Sequence, residues 1–188
     1  PAQASPSNIV FDNLPAVKMI EAWHLPEWTA TLPSLETLTA TGVRVFAPTI
    51  DSTVLQNLKI HLCEFSETHV DLSTCVALKS LDLSLPKDWQ EEQALYPIQG
   101  MDAGLPSNLE SLTLKVPRED FTIPNLHRLD DLKELSLEYC GKPEDIGDCI
   151  GWRNLRSASL NRVKEISKKW VASVPLLEKL EVTNGVKE

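Results

Sequence analysis

Apolar side chains recur along this chain in six-residue units whose positions 1, 4 and 6 are aliphatic and whose positions 2, 3 and 5 are mostly polar. The strict form, Leu-x-x-Leu-x-(Leu/Ile/Val), begins at Leu55, Leu78, Leu109, Leu132 and Leu177. With 28 leucines and 50 Leu, Ile and Val residues in 188, roughly one such match is expected by chance. Looser copies begin at Val17 (VKMIEA), Leu35 (LETLTA) and Leu155 (LRSASL) and fill the vacant slots. The eight starts are then separated by 18, 20, 23, 31, 23, 23 and 22 residues. Self-similarity at this period is the mark of a solenoid, in which no coil buries its own apolar face and stacked coils share one core.

The spacing predicts a short strand in each unit. Positions 4 and 6 lie two apart and so point to one side, inward, while position 1 turns in where the strand begins. In LQNLKIHLCEF, Cys63 holds position 9 and Phe65 holds position 11. Position 9 is a corner where inner backbone donors lack ladder partners and a Cys or Asn side chain can meet them. Pro15, Pro33 and Pro175 each stand two residues before a unit, and Pro106 three before; lacking a donor, proline suits the approach to a strand and not its middle. On the return paths, EISKKWVASV sets Ile166, Trp170 and Val174 four apart, one face of a short helix. Pro143 opens a second helical turn through Ile146 and Cys149, whereas APTIDSTV is too short and β-branched for helix. The expected return side is a mixture of short helix, 3-10 and irregular coil.

On these residues the chain resembles the leucine-rich repeat family from about Leu14 to Val186. The cysteines in LKIHLCEF and LSLEYC match the family's Asn/Cys position, although Val43, Pro86, Pro117, Val163 and Gly185 stand there in other units. PEDIGDCIGWRNLRSASL further resembles the units of plant-type and bacterial intracellular members. The resemblance implies an α/β fold, a right-handed solenoid bent into a horseshoe arc of about eight coils, with a parallel sheet on its concave side. Residues 1–188 form a single domain on this reading, with 1–13 as a lead-in, 14–186 as repeats and 86–108 as an enlarged segment within the 31-residue interval. LEKLEVTNGVKE supplies a strand and corner with no polar cap after it, so the domain is expected to belong to a longer polypeptide.

Positions 3, 5 and 7 face away from the core. In order they are Met19, Glu21, Trp23; Thr37, Thr39, Thr41; Asn57, Lys59, His61; Ser80, Asp82, Ser84; Ser111, Thr113, Lys115; Glu134, Ser136, Glu138; Ser157, Ser159, Asn161; and Lys179, Glu181, Thr183. Eleven of these 24 are Ser or Thr, either because small side chains relieve crowding on a curved sheet or because they form a shallow hydrogen-bonding surface. The candidate partner-binding residues are Trp23, Thr37, Thr39, Thr41, Lys59, His61, Asp82, Lys115, Glu134, Ser136, Glu138, Ser159 and Asn161. Trp23 is the expected aromatic anchor. Lys59 and His61 read as a positive spot, and Glu134 and Glu138 as a negative one. Trp89 and Tyr96, in the enlarged interval, form a secondary candidate loop.

Composition narrows the function classes. A net charge of −9 opposes general affinity for nucleic acid or anionic membrane, both of which need a positive field. The four cysteines make no CxxC pair and no asparagine begins a glycosylation acceptor, so reduced thiols in a cytoplasm, or delivery into a host's, are expected. In the strand register His61 faces out while Cys63 turns to the corner, which separates the one tempting nucleophile pair. His69, Asp71 and Cys75 match no metal spacing, and the acidic pairs lack a calcium loop. No cofactor, metal or catalytic residue is expected. The resulting reading is non-catalytic protein recognition by the targeting domain of a larger protein, of the bacterial effector or plant immune-receptor type. The alternative is the substrate-recruiting arm of a ubiquitin ligase or other modifying enzyme.

Overall fold

The structure, a computed structural model, describes residues 9–11, 14–23, 28–43, 49–50, 53–62, 72–85, 104–118, 126–140, 152–161 and 168–183. Every unit found in the sequence forms a strand. Met19–Trp23 is β2, Thr37–Val43 β4, Asn57–Leu62 β6, Ser80–Ser84 β7, Ser111–Arg118 β8, Glu134–Cys140 β9, Ser157–Asn161 β10 and Lys179–Thr183 β11. These eight lie parallel in one sheet, in chain order from β2 at one edge to β11 at the other. The chain is therefore a solenoid of stacked strands, with little helix among the described residues.

Register follows the repeat. Ile20, Leu38, Leu58, Leu81, Leu112, Leu135, Ala158 and Leu180 are successive partners across the sheet, and the position-6 residues from Ala22 to Val182 form the next row. Both rows are buried from β4 to β10, as are Leu35, Leu55, Leu78, Leu109, Leu132 and Leu155 at position 1. Burying each such side chain contributes about 1.5–3 kcal/mol relative to leaving it in water, so the column and not any single coil holds the fold. The last coil differs: Leu180 and Val182 occupy inward positions yet are 39% and 42% exposed.

Two backbone devices fix where each strand begins. A turn precedes every strand of the sheet. Among the described residues the position-1 N–H donates to the carbonyl three residues back in seven of these turns, as from Leu35 to Leu32 and from Leu177 to Val174. Pro15, Pro33 and Pro175 hold the second position of these turns, where the proline ring presets the backbone. Their role is thus the turn itself, one step earlier than the strand approach expected from sequence. The residues opening the turns, Leu32, Cys75, Leu129, Trp152 and Val174, are buried and form a further core row. The second device lies between coils. The position-2 carbonyl of one coil accepts the N–H groups of positions 2 and 3 of the next, repeated from Lys18 to Arg156 at 2.8–3.1 Å.

Two strands carry an extra residue. β4 slips against β6 between Thr41 and Val43, and Gly42 takes φ 67° there, a left-handed conformation open to glycine. β8 slips against β9 between Lys115 and Arg118, a span containing Pro117, and a bulge is where a strand tolerates a residue without a donor.

The return side departs from expectation near the N-terminus. Ile9–Phe11 (β1), Trp28–Leu32 (β3) and Thr49–Ile50 (β5) form a second, three-stranded parallel sheet, since their β-branched and aromatic residues recur at nearly the coil period and stack as strands. Further along, the described parts of the return paths hold 3-10 turns at Leu72–Thr74 and Leu126–Arg128 and a short helix, α1, at Lys168–Ser173. Helix α1 lies inside the predicted segment and turns Trp170 inward, with Val174 buried just after it. Trp170 packs edge-on to Trp152, ring centroids 6.2 Å apart and planes at 89°, while Trp152 Nε1 donates to the Leu126 carbonyl at 3.1 Å. Both indoles are fully buried. Ile166, Phe65, the position-9 side chains and the Pro143–Cys149 turn lie outside the described residues.

Leu112→Ala, in the middle of the column, is expected to destabilise the fold by about 2–5 kcal/mol. Leu180→Ala, on the open last coil, is expected to cost about 1 kcal/mol or less. Urea unfolding of the two variants checks the difference.

Candidate functional site

The exposed face of the eight-stranded sheet brings the candidate residues together in three rows. Position 5 runs from Glu21 through Thr39, Lys59, Asp82, Thr113, Ser136 and Ser159 to Glu181. Position 7 runs from Trp23 through Thr41, His61, Ser84, Lys115, Glu138 and Asn161 to Thr183, and position 3 carries Thr37 and Glu134. All thirteen sheet candidates lie on this face, half-buried by their neighbours except Trp23 and Glu134, which are exposed. Trp89 and Tyr96 lie outside the described residues.

The charges on this face are paired across strands. Asp82 sits between Lys59 and His61 of β6, with Lys59 Nζ at 3.1 Å and His61 Nε2 at 2.9 Å. Lys115 Nζ approaches Glu138 Oε2 at 2.8 Å, and Ser111 Oγ donates to Glu134 Oε2 at 3.3 Å. The positive and negative spots expected from β6 and β9 taken alone are thus largely cancelled by β7 and β8. Register decides this, because strand neighbours 20 or more residues apart in sequence stand side by side. Among the threonines, Thr37 Oγ1 accepts from Asn57 Nδ2 at 3.2 Å. Thr41 Oγ1 is buried with no hydrogen-bond partner, between the register neighbours Trp23 and His61.

The largest apolar groups on this face are Trp23 and Met19, 60% and 62% exposed on edge strand β2. They flank Glu21 and lie against the threonines of β4. This end of the face therefore combines an aromatic, a thioether and small hydroxyl groups, and β6 and β7 add a neutralised charge cluster beside it.

One patterned set on the surface has a signal in the sequence outside positions 3, 5 and 7. Position 2 reads Lys18, Glu36, Gln56, Lys79, Glu110, Lys133, Arg156 and Glu178. Lys18 pairs with Glu36 at 2.7 Å, Glu110 with Lys79 at 3.7 Å and also with Lys133, and Arg156 with Glu178 at 2.6 Å. Hydrogen bonding to Glu36 raises the Lys18 ammonium above its ordinary range, and the Lys133 ammonium, with help from Lys79, holds Glu110 below its own. Reading position 2 down the eight units would have found this ladder. It runs beside the shared carbonyls and reinforces coil order.

Among the described residues no group of three His, Cys, Asp or Glu side chains is placed to hold a metal ion, and no helix is long and apolar enough to cross a membrane.

Burial acts to raise the Asp82 carboxyl, but hydrogen bonds and charge from His61 and then Lys59 outweigh it and hold the group below its ordinary value of 3.8. A depressed carboxyl stabilises the fold above that value, and the contribution disappears as pH falls through the lower folded-state pKa. Asp82→Asn is expected to lose about 1 kcal/mol or less at neutral pH, with the gap to the parent closing as pH falls below the ordinary carboxylate range in urea unfolding. Glu110→Lys sets three cations side by side and is expected to lower Tm at low ionic strength, an effect that about 1 M salt should largely remove. No protein-family model matches this chain, and neither the curated proteins nor the solved structures contain a match to it.

Proposed function

We propose that this chain is a leucine-rich repeat solenoid of right-handed horseshoe form whose concave sheet face recognises a protein partner without catalysing a reaction. The observation that carries the reading is the exposed pair Trp23 and Met19 beside the threonine-lined strand β4. Large apolar side chains left in water next to small hydrogen-bonding groups have the composition of an interface centre. The neutralised Lys59–Asp82–His61 cluster supports the same reading. Its charges are already satisfied within the chain, so a partner meets a nearly neutral, polar surface and the cluster sets orientation more than affinity. The small Ser and Thr side chains of the exposed face offer hydrogen bonds spread over several strands, which favours a macromolecule. The domain would act as the partner-targeting part of a larger protein of the effector or immune-receptor type.

The test is affinity capture with the intact chain, followed by comparison of variants on the captured protein. Trp23→Ala, and a face blocked by Thr39→Arg, Ser136→Arg and Ser159→Arg together, should each reduce recovery of that protein at least about tenfold, the size of an anchor loss. Arg128→Glu, on an exposed 3-10 turn of the return side, should leave recovery unchanged. Circular dichroism confirms that each variant is folded. Equal recovery by all of them would overturn the reading.

A further inference from the structure

Glu21 stands apart among the acids of the exposed face. Asp82, Glu138 and Glu181 each hold a lysine, at 3.1, 2.8 and 3.0 Å, and Glu134 accepts from the Ser111 hydroxyl. Among the described residues no ion pair engages Glu21, although it is exposed. Two lysines of this end of the sheet are committed elsewhere. Lys18, in the same coil, pairs with Glu36 at 2.7 Å, and Lys59, two strands along the position-5 row, pairs with Asp82. The flanks of Glu21 are equally unusual. Met19 and Trp23 stand two residues to either side, 62% and 60% exposed, so the three side chains project from one face at intervals of about 7 Å. Thr39 lies beside Glu21 in register. A strand laid against β2 would stand beside these side chains in the plane of the sheet, and not over them. The site is therefore a property of the face and does not depend on β2 lying at an edge.

We propose that Trp23, Glu21 and Met19 seat an arginine side chain of the protein partner, an assignment that rests on the recognition role proposed for this face and names the partner's chemistry. A carboxylate beside an exposed indole is matched by a cation with a flat face. The guanidinium can lie on the Trp23 ring, whose quadrupole attracts it, while its edge gives paired N–H groups to Glu21. An ammonium can meet either group but lacks the planar fork that meets both, which selects arginine over lysine. The Thr39 hydroxyl can accept one of the remaining N–H groups, and the Met19 thioether can pack against the aliphatic stem. Because no ion pair of the described residues engages Glu21, a partner's cation adds a bond without displacing one. The net charge of −9 favours the approach of a basic segment in the same sense. An acidic anchor would meet a like charge. An apolar one would cover Trp23 but strip water from the Glu21 carboxylate without replacing it.

The test is selection of random peptides displayed on phage against the intact 188-residue chain, with the binding of synthetic copies measured by calorimetry. Face binders are those lost on the chain carrying Thr39→Arg, Ser136→Arg and Ser159→Arg together. They are expected to share an arginine. Replacing it with citrulline, which keeps the shape and removes the charge, should weaken binding about tenfold. Replacing it with lysine should weaken binding by nearly as much. Glu21→Gln and Trp23→Leu should each weaken the arginine peptides to a similar degree. The citrulline peptide should bind the parent and Glu21→Gln equally, since the charge pair is gone from both. Raising salt from about 0.05 to 1 M should weaken the arginine peptides more than the citrulline ones. Circular dichroism confirms that each variant is folded. Face binders that lack the arginine, accept lysine equally, or bind Glu21→Gln as they bind the parent would overturn the proposal and leave the recognition role standing. A selection that yields no binder of the face would remove both.

Discussion

Everything in this fold depends on one backbone arrangement, the position-2 carbonyl that accepts two N–H groups from the following coil. Seven such shared acceptors tie the eight strand starts into step. A strand slipped by one residue would turn its leucines to water and its polar residues to the core, so this lock is what lets positions 1, 4 and 6 of eight coils form a single apolar column. The turns before the strands work to the same end. They bring the chain to each lock, and most of their opening residues fill the core behind the sheet. The charged side chains of position 2 stand over the locks and pair between neighbouring coils, so backbone and surface favour the same order.

The same register governs the exposed face. A strand considered singly has a charge; a sheet has sums over neighbours. Asp82 neutralises Lys59 and bonds His61 of β6, and Lys115 meets Glu138, leaving a polar strip whose strongest feature is apolar, at Trp23 and Met19. The two edges of the sheet consequently differ in kind. At β2 the exposed apolar groups, Trp23 and Met19, lie on the exposed face of the sheet, whereas at β11 Leu180 and Val182 occupy inward positions.

Much of the architecture was legible in the sequence because a stacked coil must repeat its apolar positions at the coil period. Leu58, Leu81, Leu112 and Leu135 could be aligned by counting, and they are register partners. The short helix was legible from the four-residue spacing around Trp170. Less legible were features whose meaning lies in geometry. Pro33 reads as an extended-chain signal until the hydrogen bond from Leu35 to Leu32 places it inside a turn. Thr49 and Ile50 read as loop, because two residues make no strand until β3 lies beside them. Trp152 stands three residues before its unit, a slot that reads as core only once Leu32, Cys75, Leu129 and Val174 are seen to open the same turns, and it meets Trp170 edge-on.

By itself the sequence determined the period, the inward and outward sets, and the acidic balance, since each follows from the order of side chains along one chain and from the need to bury leucine. It also held the mixed-sign charges of position 2. Only the tertiary structure decided which outward residues are neighbours, which charges cancel, that the first return paths form a second sheet, and that the last strand leaves its inward side chains in water. The reason is physical. Burial is a property of a residue and its pattern, whereas pairing and exposure are properties of distances between residues about a coil apart in sequence, and those distances exist only once the coils have stacked.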